Sequence, residues 1–224
     1  LSYASRGLER LRDIQVFDDS RVSTLAADFN QPMSPGVKQE IGEVDYIFHL
    51  GAETHVDRSI DDPAPFVMAN VVGTMEILNF ARTQKNLKKF FYFSTDEVFG
   101  PAPQGVAYKE WDRYNSGNPY AAAKAGGEEL CLAYGNTYGL PIVITHCMNI
   151  FGERQHFEKF IPLVIRKVLT GDVVIIHSDS TKKVPGSRYW IHARNVAAAI
   201  LFLVDKGQTQ DKYNVVGEKE VNNL

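Results

Sequence analysis

Short apolar runs alternate along this chain with longer stretches of helical period, which is how a parallel sheet with crossover helices looks in sequence. Val44-Asp45-Tyr46-Ile47-Phe48-His49-Leu50 is a buried-strand candidate, followed by a helix-period stretch from about Pro65 to Gln84. Lys89-Phe90-Phe91-Tyr92-Phe93-Ser94 is the next strand, rich in the aromatics that strands favour. After a Gly/Pro-rich loop from Gly100 to Asn118, Pro119 opens a second long helix in its first turn, where a missing N–H costs nothing. That helix runs to about Tyr138, Gly139 supplies a stop, and Leu140 to Thr145 enters another strand. The predicted order is β-α-β-α-β. A short strand near Val173 to Ile176, a helix from about Ala193 to Asp205 and a strand over Tyr213 to Val216 complete the count.

The chain has 224 residues, 44% hydrophobic and 23% charged, enough to bury a real core. Its formal charge of −3 without a Lys/Arg block argues against nucleic acid as a partner. The start, Leu1-Ser2-Tyr3-Ala4-Ser5-Arg6, lacks the regions of a signal peptide, and no apolar run is read as a membrane span. A cytoplasmic location with no membrane partner is therefore expected. Cys131 and Cys147 stand far apart with no CxxC and no His/Cys cluster at ligand spacing, so buried thiols are expected, with no disulfide framework and no metal site.

In an open parallel sheet, ligands sit in the crevice beyond the carboxyl ends of the strands. The strand ending at Leu50 runs into Gly51-Ala52-Glu53-Thr54-His55, whose small residues let a flat cofactor lie against the backbone. The strand ending at Ser94 runs into Thr95-Asp96-Glu97, a hydroxyl and two carboxylates on a rigid support, suited to acid and base work. A solvated turn or helix cap is the plainer reading of that acidic pair. On the second long helix, Tyr120 and Lys124 share a face at i, i+4 spacing, and a nearby cation stabilises phenolate, so the tyrosine can serve as a base. A surface Tyr/Lys pair is the alternative there.

Leu50 to Ile60, Ser94-Thr95-Asp96-Glu97-Val98-Phe99-Gly100 and Tyr120 to Lys124 closely resemble segments of the dTDP-glucose 4,6-dehydratases, extended short-chain dehydrogenases of the epimerase/dehydratase superfamily. Asn149-Ile150-Phe151-Gly152, Glu158-Lys159-Phe160-Ile161-Pro162, Arg188-Tyr189-Trp190-Ile191 and Tyr213-Asn214-Val215-Val216-Gly217 match further motifs in the family's order. The resemblance implies a Rossmann-like, doubly wound α/β sheet over residues 1–150 that binds NAD, and a smaller, truncated substrate-binding part over 151–224. A helix at about 193–205 would return to the first part.

The implied reaction is loss of water from a nucleotide-diphosphate sugar. Tyr120, with Lys124 beside it, takes the sugar 4-hydroxyl proton while C4 gives hydride to NAD; the resulting 4-ketone acidifies the C5 proton. Glu97 removes that proton as base, Asp96 protonates the departing 6-hydroxyl as acid, and hydride returns to C6. Two adjacent carboxylates in opposite roles need their pKa values pushed apart. Thr95 would hydrogen-bond the 4-oxygen. By resemblance, Asp28 and Phe29 lie beside the adenine and Leu50, Gly51, Ala52, Glu53 and Thr54 form the cofactor-side loop, Thr54 also near substrate. Asn149, Lys159, Phe160, Arg188 and Asn223 line the sugar-nucleotide site, where an Arg188 cation suits a diphosphate. Without the family pattern, Phe160 reads as core, Lys159 as solvated and Asn149 as a turn residue.

The chain starts at a point matching residues just after the family's second strand, so the Gly-rich phosphate loop lies outside it, and the family also continues past Leu224. As written, the chain is expected to hold NAD poorly. Ser178 to Ser187 reads as longer than usual, and Ile150 and Ala69 replace polar residues, which leaves the donor base open. UDP-sugar 4,6-dehydratases, UDP-sugar epimerases and decarboxylases, and a non-catalytic nucleotide-sugar-binding subunit are the rival readings. Asp96-Glu97 discriminates against the epimerases and decarboxylases. The helices near Pro65 to Gln84 and Pro119 to Tyr138 resemble the pair that joins family members as homodimers through a four-helix bundle.

Overall fold

A computed structural model of the chain describes residues 7–103, 105–176, 178 and 181–224. In chain order the strands are β1 (Tyr46–His49), β2 (Lys89–Thr95), β3 (Ile142–Cys147), β4 (Ile150–Phe151), β5 (Ser187–Tyr189), β6 (Ile191–His192), β7 (Asp211–Val215) and β8 (Glu220–Asn222). The helices are α1 (Gly7–Asp13), α2 (Pro35–Ile41), α3 (Val56–Asp61), α4 (Ala64–Val67), α5 (Gly73–Ala81), α6 (Pro119–Tyr138), α7 (Phe160–Thr170) and α8 (Ala193–Lys206). β1, β2, β3 and β7 form one parallel sheet in that order, with Phe91 opposite Val143 and Thr145 opposite Tyr213.

Strand alternation then sorts the apolar side chains onto two buried faces. Phe90, Tyr92, Ile142 and Ile144 pack with Leu78 and Ala81 of α5 and Cys131 of α6. Phe91, Val143 and Cys147 point the other way and pack with Val196, Ile200 and Leu203 of α8. Helices on both faces make the sheet doubly wound. Each large side chain so buried contributes about 1.5–3 kcal/mol. β1 is less enclosed than its sequence implies: it is an edge strand, and Tyr46 and Phe48 are exposed although Phe48 stacks on Phe91 at 5.0 Å.

Two differences from the sequence reading have local causes. The helix predicted from Pro65 to Gln84 carries a π turn over Met68–Val72 between α4 and α5, where the fully buried Asn70 turns inward to hydrogen-bond Glu53. A π insertion of this kind often marks a functional site. Residues Ala64–Ala81 are long and apolar enough by composition to cross a membrane, which the sequence count overlooked, but here they form the crossover from β1 to β2. Val173 to Ile176 is not a strand: Val173 is 80% exposed and Ile175 76%, with no ladder partner among the described residues. Beyond them, residues 179 and 180 of the long Ser178 to Ser187 stretch lie outside the described residues, as does the Leu1 to Arg6 start.

The close approach of α6 to the π turn depends on Gly127, because a Cβ there would collide with the Asn70 carbonyl and the Tyr92 hydroxyl. Neither can retreat, since one is backbone and the other sits in the core. Gly127→Ala is expected to cost about 1–3 kcal/mol, read as a lower urea midpoint with an unchanged slope.

Candidate active site

The carboxyl ends of β1, β2 and β3 and the start of α6 meet at one edge of the sheet. β2 ends at Thr95, whose Oγ1 accepts from the Glu97 backbone N–H at 3.3 Å and donates to Asp96 Oδ1 at 3.2 Å. That cap starts a 3-10 turn over Asp96–Phe99, which aims two carboxylates from a single rigid strand end. Asn118 caps α6 through its Oδ1, which accepts from Ala121 N at 2.8 Å, and its Nδ2 donates to Glu97 Oε2 at 2.8 Å. The helix start and the Asp96–Phe99 turn are therefore fastened by one side chain. Tyr120 N–H donates to Ser59 Oγ at 3.1 Å, and Ser59 in turn donates to the Val56 carbonyl at 2.6 Å, so α3 sets the position of the tyrosine.

Electrostatics separate these groups. Burial pushes the Asp96 carboxyl above its usual range and the Glu97 charge adds to it, while the Thr95 hydrogen bond and the Arg188 charge oppose. Asp96 thus gives up its proton less readily than an ordinary aspartate. Burial also raises the Tyr120 phenol, opposed by the Thr95 hydroxyl and reinforced by Glu97 and Asp96. Lys124, one turn on from Tyr120, is the more deeply buried of the two. Its ammonium lies over the Tyr92 ring at 4.2 Å, only 3% exposed, and burial lowers it to about 8. No carboxylate pairs with it among the described residues. Burial of the ammonium is the largest influence on Lys124.

The loop after β1 is held from two sides. Asn70 Oδ1 accepts from Glu53 N at 2.9 Å and its Nδ2 donates to Glu53 O at 3.0 Å. Lys159, at the start of α7, donates to Thr54 O at 2.9 Å and Thr54 Oγ1 at 3.2 Å. Burial lowers the Lys159 ammonium, and Glu97, Glu158 and Glu53 oppose that, which places it electrostatically at the same edge. Asn70→Ala leaves both Glu53 backbone groups unpaired. It is expected to lose about 1–3 kcal/mol by thermal denaturation.

Other predicted residues divide. Phe29 packs its ring against Gly51 and Gly73 and meets His49 edge-on at 5.8 Å, beside the β1 end. Asp28 is exposed and accepts from Asn30 N in a local turn, and Leu50 is exposed. Arg188 on β5 acts on Asp96 through its charge. Phe160 stacks on Trp190 at 5.8 Å, while Asn149 contributes a backbone carbonyl to Ile191 N–H. Asn223 follows β8, which pairs with β5, and its buried Oδ1 has no partner among the described residues. The sequence reading missed Ser59, Asn70 and Asn118. Only Asn118 had a local signal, an N-cap residue directly before Pro119.

A doubly wound parallel sheet whose strand ends gather the Thr95-Asp96-Glu97 turn, the Tyr120/Lys124 pair and a small-residue loop defines a Rossmann-like α/β protein. The chain belongs to the NAD dependent epimerase/dehydratase family, whose model matches residues 31–216. It is 34% identical over 241 residues to the dTDP-glucose 4,6-dehydratase of Escherichia coli, covering 100% of this chain and 65% of that protein. To the Streptomyces niveus dTDP-glucose 4,6-dehydratase it is 39% identical over 180 residues, covering 80% of this chain and 52% of that one. A solved double mutant of the Streptomyces venezuelae dTDP-glucose 4,6-dehydratase, with NAD bound, superposes with a TM-score of 0.88 at 32% identity, covering 100% of this chain and 66% of that one. The chain thus spans between about half and two thirds of the length of these relatives.

Proposed function

We propose that this chain carries the acid/base centre of a nucleotide-sugar 4,6-dehydratase that converts dTDP-glucose to dTDP-4-keto-6-deoxyglucose and water with a bound NAD. The observation that carries the reading is the Thr95-Asp96-Glu97 turn at the end of β2, joined to the start of α6 by Asn118, with Asp96 held above the ordinary carboxylate range. An epimerase has no need of that second acid.

The residues fit a nicotinamide cofactor. Lys124 is a buried cation without a carboxylate partner among the described residues, and the Leu50 to Thr54 backbone at the sheet edge is shaped by Gly51, Phe29 and Asn70. Tyr120 and Lys124 would hold the ribose beside the nicotinamide, Asp28 and Phe29 the adenine, and Leu50, Gly51, Ala52, Glu53 and Thr54 the side between them. When bound, the cofactor supplies a reversible hydride acceptor. Tyr120 accepts the 4-hydroxyl proton and Thr95 Oγ1 supports the oxygen left behind. Glu97, oriented by Asn118, removes the C5 proton, and Asp96, whose carboxyl burial raises, donates a proton to the leaving 6-hydroxyl. Thr54, Asn149, Lys159, Phe160, Arg188 and Asn223 contact the sugar nucleotide, Arg188 and Lys159 answering the diphosphate charge. In this reading residues 151–224 form the substrate side and residues 1–150 the cofactor side, with homodimers formed through α6 and the Ala64–Ala81 helix, where Val67 and Met68 stand exposed.

Mass spectrometry of dTDP-glucose and UDP-glucose, each incubated with NAD and the protein at its full natural length, tests the reading. Loss of water from dTDP-glucose, largely suppressed in Asp96→Asn, Glu97→Gln and Tyr120→Phe, is expected. Loss from UDP-glucose alone reassigns the donor. No mass change with either donor, in protein shown to hold NAD, rejects the dehydratase reading for those donors.

A further inference from the structure

Behind the acid/base turn lies a dry polar network that the reaction does not use. Glu128 on α6 is 0% exposed, His146 on β3 1% and Lys212 on β7 5%. The Glu128 carboxylate accepts from the Tyr114 hydroxyl and from His146 Nε2 at 3.0 Å, and Lys212 Nζ stands 3.0 Å from it. Lys212 Nζ also donates to the Tyr114 hydroxyl at 2.5 Å. Burial alone would raise the Glu128 carboxyl; the His146 hydrogen bond and charge, then the Lys212 charge, outweigh it and hold the group below its usual range.

Desolvating such ions costs several kcal/mol each, and an apolar set of the same volume often packs as well or better. A network kept at that cost needs something to hold. Three of its members sit on the rigid frame of sheet and helix. The fourth, Tyr114, belongs to the loop that runs from the acid/base turn to α6. Beside Tyr114, Asn115 N–H donates to the Val98 carbonyl at 2.9 Å, and Gly100 leaves room for the Asn115 carbonyl that any Cβ would strike. Four residues on from Tyr114 is Asn118, whose amide grips Glu97.

We propose that Tyr114, Glu128, His146 and Lys212 form a positioning device that orders this loop and, through Asn118, fixes the Glu97 carboxylate for proton removal from the sugar. The inference rests on the dehydratase reading. Tyr114 touches no reacting atom; it acts through Asn118.

Tyr114→Phe keeps the ring against Phe99 and His146 and removes only the hydroxyl. In the full-length protein with NAD and dTDP-glucose, water loss and solvent-deuterium exchange at C5 are expected to fall by about 10–100-fold. The KM and the first-turnover appearance of reduced cofactor are expected to stay near the unaltered values. In a Glu97→Gln background the same substitution is expected to add little, since its route to the reaction is already cut. Equal losses in both backgrounds, or parallel loss of cofactor reduction and elimination, would overturn the proposal. A second readout needs no turnover: Tyr114→Phe and Lys212→Met should speed amide exchange over residues 108–118 by about 10-fold or more, leaving β2 and β3 unaffected. Unchanged exchange there overturns the ordering role by itself. Absence of water loss in the unaltered protein instead rejects the dehydratase reading and, with it, the assignment of Glu97 as what the ordered loop serves.

Discussion

Tyr120→Phe should lower turnover by about 10²–10⁴-fold, the usual contribution of a positioned general base, while the protein stays folded. The ring remains edge-on to Phe66 at 6.4 Å, and the backbone N–H of residue 120 keeps its bond to Ser59. What disappears is the group that the proposed reaction uses to take the proton from the substrate. Because burial, Glu97 and Asp96 all raise the phenol, it is neutral near neutral pH, and the first stage should quicken as pH rises toward its ionisation. Glu97→Gln removes one raising charge, so the same limb should move to lower pH. Single-turnover absorbance of reduced cofactor across a pH series checks both statements. A limb that stays in place in Glu97→Gln would mean that the phenol is not the group being titrated.

Lys124→Met should make the protein more stable at neutral pH, by about 1–3 kcal/mol, while slowing the first stage by about 100-fold or more. The sign follows from linkage. Burial lowers the Lys124 ammonium from an ordinary 10.5 to about 8 in the folded chain. Above both values the amine is neutral folded or unfolded and nothing is lost. As pH falls through that window the unfolded chain takes up the proton first, and below about 8 the penalty is complete, on the order of 3 kcal/mol. Met keeps the apolar stem against Tyr92. Urea denaturation should therefore show a gain at neutral pH that shrinks toward alkaline pH, and a gain independent of pH would contradict the assignment. On the proposed reading the unaltered lysine gives up stability for function, since the site retains a dry cation that a folding optimum would discard.

Local signals accounted for most of the frame. Pro119 and Gly139 delimited α6 as Pro119–Tyr138 because helix ends are set by neighbouring backbone chemistry, a fixed φ at one end and a left-handed residue at the other. The aromatic run at Lys89 became β2, and Thr95, Asp96 and Glu97 fell at its carboxyl end as the parallel-sheet rule requires. Val173 to Ile176 failed because a strand needs a partner, and pattern alone does not provide one.

The sequence by itself thus determined the order of the central strands and their long crossover helices, and the residue types placed at the sheet's carboxyl edge, since caps, periods and strand ends act over a few residues. Tertiary structure alone decided how those residues behave. Asn70 reaches Glu53, Lys159 reaches Thr54 and Lys212 reaches Tyr114 across gaps of 17, 105 and 98 residues, beyond any local pattern. Burial, which raises Asp96 and Tyr120 and lowers Lys124, belongs to the packed whole: desolvation is set by everything that surrounds a group, and no spacing along the chain encodes it.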